Sequence, residues 1–245
     1  MTEYRLGERH FTNEGCEIEI IEYFGCDNCT IKFTNENVLK NITYRTIKTG
    51  KIKNPFHPSI CNIGYIGIGR YKAHNNKIPT IFYRRWKGMI DRCYNKKQLK
   101  RKPTYLGCSV AEEWHNFQVF SEWYEENHNS EIMQGFALDK DILKKGNKIY
   151  SSETCCFVPE DINNLFIKPN RKTKSLPQGV SARNGRYRAY LGSSHLGVFD
   201  TIEEAFQAYK TAKEEHIKEM ADEWKDRIAE NVHQAMYNWT IEITD

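Results

Sequence analysis

Asn184-Gly185 separates two short runs of alternating residues, and it constrains the fold of this chain more tightly than any other local feature. A two-residue Asn-Gly loop selects the type I′ turn, whose twist matches that of the strands it joins. Gly179-Val180-Ser181-Ala182-Arg183 and Arg186-Tyr187-Arg188-Ala189-Tyr190-Leu191 are therefore predicted to pair as a hairpin. Ser194 to Phe199 supplies a third strand, and Thr201 with Glu204 forms a capping box that opens a helix. Along that helix Ile202, Phe206, Tyr209 and Ala212 or Lys213 recur at helical spacing, so an apolar face can cover one side of the sheet. The other side is left free to carry Arg183, Arg186, Arg188 and Tyr190. A sheet of this kind can lay its basic face in the major groove of DNA.

Charge is unevenly spread. The 245-residue chain carries a net charge of only +4, yet Arg70 to Lys102 holds twelve basic residues against the single acid Asp91. From Pro103 to Asp139 there is no Lys or Arg, and Glu112, Glu113, Glu122, Glu125, Glu126, Glu131 and Asp139 supply seven acids. Ile162 to Phe199 is basic again, with seven Lys and Arg residues and no acid, whereas Asp200 to Asp245 sets twelve acids against five bases. Two basic regions in a nearly neutral chain suit a phosphate backbone, because phosphate contacts release condensed counterions. They also suit solvated faces balanced by acidic helices next to them.

Upstream, Cys16 to Ile21, Thr30 to Thr34 and Ile42 to Ile47 are short β-favouring runs separated by turn material, which predicts a small antiparallel barrel or sheet. Gly64, Gly67 and Gly69 lack the strand-to-helix context of a dinucleotide-binding turn and read as a tight loop. Thr80 to Tyr94 shows Phe82, Trp86, Met89, Ile90 and Cys93 at helical spacing, which turns Arg84, Arg85 and Arg92 toward solvent or a backbone phosphate. Ser109 with Glu112 is a second capping box, predicting a helix whose apolar side holds Val110, Trp114, Phe117, Phe120 and Trp123 or Tyr124. The two helices are expected to pack together with these aromatics as core. Phe136 to Phe166 reads as a compact irregular unit and residues 168–175 as a basic linker. The expected fold class is α+β in several modules. These are a small antiparallel β domain over 1–64, a helical module over 65–167, and a three-stranded sheet packed on a helix, with extended C-terminal helices, over 176–239.

The C-terminal pattern resembles the AP2/ERF DNA-binding family. The residues that carry the likeness are Leu176 to Tyr190 (LPQGVSARNGRYRAY) and His195 to Tyr209 (HLGVFDTIEEAFQAY), about 40 residues with strand, turn and helix signatures in register. The resemblance implies base and phosphate contacts from Arg183, Arg186 and Arg188, and a weaker one from Tyr190. Tyr83 to Phe166, about 80 residues, resembles phage-type HNH endonucleases through Trp86 to Asn95 (WKGMIDRCYN), Cys108, Glu113-Trp114, Phe117, Leu138 to Leu143 (LDKDIL) and Val158 to Leu165 (VPEDINNL). That likeness implies a ββα-metal core, DNA as substrate and a divalent ion. HNH cleavage uses a His at the first strand of the motif to activate water. Here the matching Asp139-Lys140-Asp141 has no His, and either alignment leaves Lys140 or Asp139 in the place of the base. The motif is degenerate. The catalytic candidates reduce to Asp139, Lys140, Asp141 and Asn163, and the metal candidates to Asp139 and Asp141, whose plainer use is in turn hydrogen bonds. No cofactor is expected unless the module cuts, in which case Mg²⁺ is implied.

Eight cysteines are too few for a disulfide scaffold in a chain of this length, so reduced thiols are expected. Cys26 and Cys29 have zinc-ligand spacing, but no second closely spaced pair follows. No run reaches the 18 apolar residues of a membrane span, and Met1-Thr2-Glu3-Tyr4-Arg5 leads into no signal-peptide core. The expected setting is cytoplasmic, that of a host cell if a phage encodes the chain. Met220, Trp224, Ile228, Val232, Met236 and Trp239 form a late apolar series, suited either to packing on the middle module or to docking on a second copy or a host protein. Three functions fit. The first reading is a non-catalytic protein of phage or mobile-element type that binds double-stranded DNA, with base contacts from the sheet and phosphate contacts from the Arg84 to Lys102 region, Arg84, Arg85 and Arg92 among them. The second is a Mg-dependent, homing-like HNH endonuclease, which requires Asp139, Asp141 and a His to converge. The third is a phage protein that inhibits or sequesters a host nuclease or defence factor, through an apolar helical patch or an acidic surface from Glu112 to Glu131.

Overall fold

The structure, a computed structural model, describes residues 4–167 and 176–245; the expected basic linker at 168–175 lies outside the described residues. The chain packs as two compact units, Met1–Glu122 and Trp123–Asp245, with the division inside helix α4 (Phe117–Asn127).

The first unit opens with an antiparallel sheet in the order β1 (Arg9–Phe11), β2 (Glu17–Tyr23), β3 (Cys29–Phe33), β4 (Val38–Ile42). Alternation sets its faces: Ile18 and Ile20 pair with Phe33 and Ile31, and all four are buried, with Ile47 and Ile52 completing the core. Of the barrel and sheet alternatives, the open sheet is found. The third expected strand, Ile42 to Ile47, is not found: β4 lies upstream and ends at Ile42, and Thr43 caps a helix, its Oγ1 accepting the Thr46 N–H at 3.3 Å with α1 covering Tyr44–Lys48. A hydroxyl that satisfies a free helical N–H outweighs the β preference of Thr46 and Ile47.

Beyond it come a hairpin of β5 (His74–Asn75) and β6 (Ile78–Pro79), then α2 (Ile81–Tyr94), α3 (Lys96–Arg101), the two-residue strand β7 (Ser109–Val110) and a 3-10 turn at Glu112–His115. Helix α2 starts where Thr80 caps it, and it buries Trp86, Met89, Ile90 and Cys93. The Trp86 ring meets Phe117 edge-on at 5.5 Å, and its indole N–H donates to the Trp114 carbonyl at 2.8 Å. The expected packing of these aromatics is found. The helix expected from the Ser109 and Glu112 pair is not, since its N-terminal part is extended or 3-10 and α4 begins at Phe117. Asn116 supplies the start instead, accepting the Gln118 N–H on Oδ1 at 3.0 Å. The glycine cluster serves close packing: a Cβ on Gly64 would sit 2.8 Å from the Trp86 ring, and one on Gly67 2.3 Å from Asn116 Oδ1.

The second unit holds β8 (Ala137–Asp139), β9 (Ile149–Tyr150), β10 (Cys156–Val158) and α5 (Glu160–Leu165), then the antiparallel sheet β11 (Val180–Arg183), β12 (Arg186–Leu191), β13 (Ser194–Phe199), and helices α6 (Ile202–Glu223) and α7 (Glu230–Tyr237). The capping box is present in both directions, Glu204 N–H to Thr201 Oγ1 and Thr201 N–H to Glu204 Oε2, each 3.2 Å. Ala189 and Ala205 are fully buried, and Phe206 and Tyr209 belong to a core that also takes in Ile142, Val158 and Ile162 from the strand–strand–helix segment. The late apolar series breaks at Trp224 into two helices, and Ile228, Val232 and Met236 are buried in that same core. The side of the C-terminal helices on which a second copy or a host protein was expected to dock is thus covered within the chain.

Asp222 at the end of α6 accepts from Tyr237 Oη at 2.5 Å and contacts His233 Nε2 at 3.0 Å on α7. The tyrosine hydrogen bond, then the histidine, hold this carboxyl below the usual aspartate range. A depressed folded value stabilises the native state above the ordinary aspartate range, about pH 4, and is lost as pH falls through the depressed value. Tyr237→Phe removes the larger cause, so acid titration followed by circular dichroism is expected to show a smaller loss of stability below about pH 4 than in the wild type. Gly179 tests the sheet-to-helix contact. Its φ is +79°, and an added Cβ would lie 2.0 Å from the Tyr209 ring, whereas Gly185 in the turn has φ +76° with nothing within 4 Å. Gly179→Ala is expected to cost about 2–4 kcal/mol in urea unfolding and Gly185→Ala about 1 kcal/mol, the backbone penalty alone.

Candidate nucleic-acid interface

The register of the C-terminal sheet sorts its side chains into two faces. Ala189 lies on α6, and alternation places Tyr187 and Leu191 on the same side and Arg186, Arg188 and Tyr190 on the other. Pairing extends the outer face across the strands: Arg183 stands opposite Arg186, Ser181 and Val198 opposite Arg188, and His195 opposite Tyr190. Asn184 and Gly185 close the hairpin with φ of 52° and 76°, the two left-handed residues that a type I′ turn requires. The structure therefore brings Arg183, Arg186, Arg188 and Tyr190 onto one open surface.

Two further residues join them. His195 is exposed with its ring 5.1 Å from that of Tyr190, and Val198 is exposed beside Arg188. A register shift between Ala189 and Tyr190 puts Leu196 out of the pairing, which breaks strict alternation along β13. Leu196 packs into the core while His195 and Val198 face out, a pattern that a period of two does not reveal.

Electrostatically the face is poised for an anion. Arg183 and Arg186 are direct cross-strand partners, and like charges in that relation oppose pairing. Asp200 offsets part of this through an ion pair of 2.8 Å with Arg186 Nε, but Asp200 is 77% exposed and its hold is weak in water.

In the first unit Arg84 is exposed, while Arg85 and Arg92 are half-buried and the Arg92 guanidinium lies 5.8 Å from the Tyr105 ring. The structure does not put the three arginines on one open face. Further along the same basic region it exposes Lys96, Lys97, Lys100, Arg101 and Lys102 on and just after α3, whose N-terminus is capped by Asn95 Oδ1 accepting from the Lys97 and Gln98 N–H groups.

The Asp139-Lys140-Asp141 segment has the strand–strand–helix order of β8, β10 and α5, with Asp139 opposite Cys156. Asp139 Oδ1 accepts the backbone N–H groups of Asp141 and Ile142, each at 2.8 Å. Burial, reinforced by the Asp141 charge, pushes the Asp139 carboxyl above the usual range, and burial does the same to the Cys156 thiol. Lys140 is 7% exposed, and its Nζ donates to Asp141 Oδ2 at 2.9 Å and to the Asn147 carbonyl at 3.1 Å. Asn147 returns two bonds of 2.7 Å from Nδ2, to the carbonyls of Lys140 and Ile149. Asn163 is half-buried on α5. His128 Nε2 contacts the Met133 carbonyl at 3.1 Å and its ring stacks on Tyr124, and His115 contacts the Val110 carbonyl at 3.1 Å.

These side chains are thus turned onto their own loops. Among the described residues no group of three or more His, Cys, Asp and Glu is placed to share a metal ion. Cys26 is exposed beside the Tyr23 hydroxyl at 3.3 Å and Cys29 is buried, donating to the Gly25 carbonyl at 3.5 Å; all eight cysteines are free thiols. Among the described residues no helix is long and apolar enough to cross a membrane. No family model matches the chain, and no curated protein or solved structure matches it either.

If Lys140 is a strut of the loop, Lys140→Met keeps the buried stem and leaves the Asn147 carbonyl short of a donor. Urea unfolding is expected to show a loss of about 1–3 kcal/mol. An unchanged midpoint would remove Lys140 from that role.

Proposed function

We propose that this chain is a non-catalytic, double-stranded DNA-binding protein of phage or mobile-element type. The observation that carries the reading is the open face of the β11–β13 sheet, with Arg183, Arg186, Arg188 and Tyr190 together on the side away from α6. A three-stranded sheet backed by one helix can lay its basic face against the major groove. Arginine forks suit the O6 and N7 acceptors of guanine, and the same groups reach phosphate oxygens with little geometric demand. The exposed cations of Lys96 to Lys102 add sequence-independent phosphate contacts from the first unit. The sheet-and-helix arrangement is also what the AP2/ERF resemblance implies.

The runner-up is an HNH-type endonuclease, and the strand–strand–helix order around Asp139 favours it. Against it stands the use of the local polar groups: of the two residues that can align with the base, Lys140 has its ammonium bonded to Asp141, and Asp139 is bound to two backbone N–H groups. On the adopted reading this segment is a scaffold.

The test is binding to a randomised double-stranded DNA pool across a salt series, with Mg²⁺ present and all products run on a denaturing gel. Enrichment of a sequence without new ends is expected. Arg186→Ala with Arg188→Ala should weaken binding about 10- to 100-fold and reduce the slope of log affinity against log salt by about 1 to 2, whereas Asp139→Asn should leave both unchanged. Wild-type affinity in the double variant would remove the sheet face from the binding surface, and Mg²⁺-dependent nicks would install the nuclease reading.

A further inference from the structure

The first unit contains a thiol and an imidazole, far apart in sequence, that meet at a cavity unrelated to the sheet face. Cys16 Sγ and His57 Nδ1 are 3.6 Å apart, and Asn54 Nδ2 points at the same sulfur from 3.9 Å. Cys16 is held at the end of the β1–β2 turn by two bonds to Thr12, N–H to Oγ1 at 3.1 Å and carbonyl to the Thr12 N–H at 2.9 Å. Asn54 is fixed in turn, its Oδ1 accepting the Phe56 N–H at 3.0 Å and its own N–H donating to Glu14 Oε2 at 3.3 Å. Cys16 and His57 both line a cavity of about 410 Å³, whose other walls include Phe11, Phe33, Phe56 and Glu17.

Each part has a chemical use. With its ring hydrogen on Nε2, His57 presents a lone pair on Nδ1 to the thiol hydrogen, which makes it the base for a cysteine nucleophile. Asn54 offers an N–H to the negative charge that forms on sulfur. The cavity leaves room for a small molecule at Sγ. Glu17 brings a negative charge to a lining that otherwise carries only His57 as a titratable group besides the thiol; the Arg9 guanidinium 3.7 Å from it is 64% exposed and offsets that charge only in part, so an anionic reagent is disfavoured.

We propose that Cys16 and His57 form a nucleophilic thiol site that exchanges with small neutral or cationic disulfides. In the step, His57 Nδ1 takes the thiol proton and Cys16 sulfur attacks one sulfur of the disulfide. A new Cys16 sulfur–sulfur bond forms as the reagent's own sulfur–sulfur bond breaks, and the departing thiolate takes the proton back from His57. The chain is left with a mixed disulfide at Cys16, and one reagent thiol is released; the disulfide supplies the oxidising equivalent.

The experiment treats the full-length protein near pH 7 with cystamine, a cationic disulfide, and with 3,3′-dithiodipropionate, an anionic one, and follows each cysteine by peptide mass mapping. Cys26, exposed in the same unit, is the reference. The expected result is that cystamine modifies Cys16 faster than Cys26, that the cationic-over-anionic preference is larger at Cys16, and that His57→Gln slows Cys16 about tenfold or more with Cys26 unchanged. A Cys16 no faster than Cys26, or one indifferent to His57→Gln, overturns the proposal. Buried Cys29 reports on folding. If His57→Gln exposes Cys29 to reagent, Glu17→Gln decides: the extra cationic preference at Cys16 must shrink, and its persistence overturns the site.

Discussion

Tyr209 lies so close to Gly179 that a single added carbon would overlap its ring, and this contact fixes which face of the β11–β13 sheet is buried. Strand side chains alternate, so once Ala189 is turned onto α6, Arg188 and Tyr190 are turned away from it. A one-residue slip would carry the arginines into the core, where an unpaired guanidinium costs far more than the sheet gains by pairing. The basic face is thus a consequence of how the helix is seated. The same helix continues its apolar stripe through Ile217 and Ala221 into the core that holds Ile142, Val158 and Ile162. One helix therefore organises both the sheet and the strand–strand–helix segment of this unit.

That shared core explains the character of the Asp139 loop. Its ends are tied down by β8 and β10, and the polar groups between them find partners in the loop itself. A buried lysine is costly unless it is well bonded, and Lys140 is bonded to a carboxylate and a carbonyl only one and seven residues away. Burial of Asp139 and Cys156 side by side favours their neutral forms, which lightens the cost of placing both next to the core. The polar groups of the segment thus serve to close a loop.

Much of this was legible in the sequence, and what was legible is local. The type I′ turn at Asn184-Gly185 and the Thr201 and Glu204 capping box each depend on residues within four positions of one another. The misplaced elements arose where two local signals compete. Thr43 can extend a strand or cap a helix, and the tertiary burial of Ile47 favours the cap. Ser109 with Glu112 has capping-box spacing, but Asn116 starts α4 because Trp114 is needed under Trp86. His195 was missed as a face residue because the Leu196 bulge interrupts the alternation, and Cys16 with His57 because 41 residues separate groups that only the folded chain brings together. Arg92 is half-buried with its guanidinium 5.8 Å from the Tyr105 ring, a contact from beyond α3 that helical spacing alone does not reveal.

On the proposed reading, stability and binding pull against each other in the hairpin. Arg183 and Arg186 face one another across the turn, and their repulsion acts on a strand pair that has only the Asn-Gly turn to end it. Asp200 relieves Arg186 from the far edge of the sheet, through a single exposed contact. A phosphate approaching the face would compete with Asp200 for that guanidinium and would also neutralise the Arg183 and Arg186 pair. Its binding would therefore remove a strain that the free protein holds. An anion that relieves repulsion in this way gains on both counts, and salt, which screens the repulsion and competes for the arginines, reduces both together.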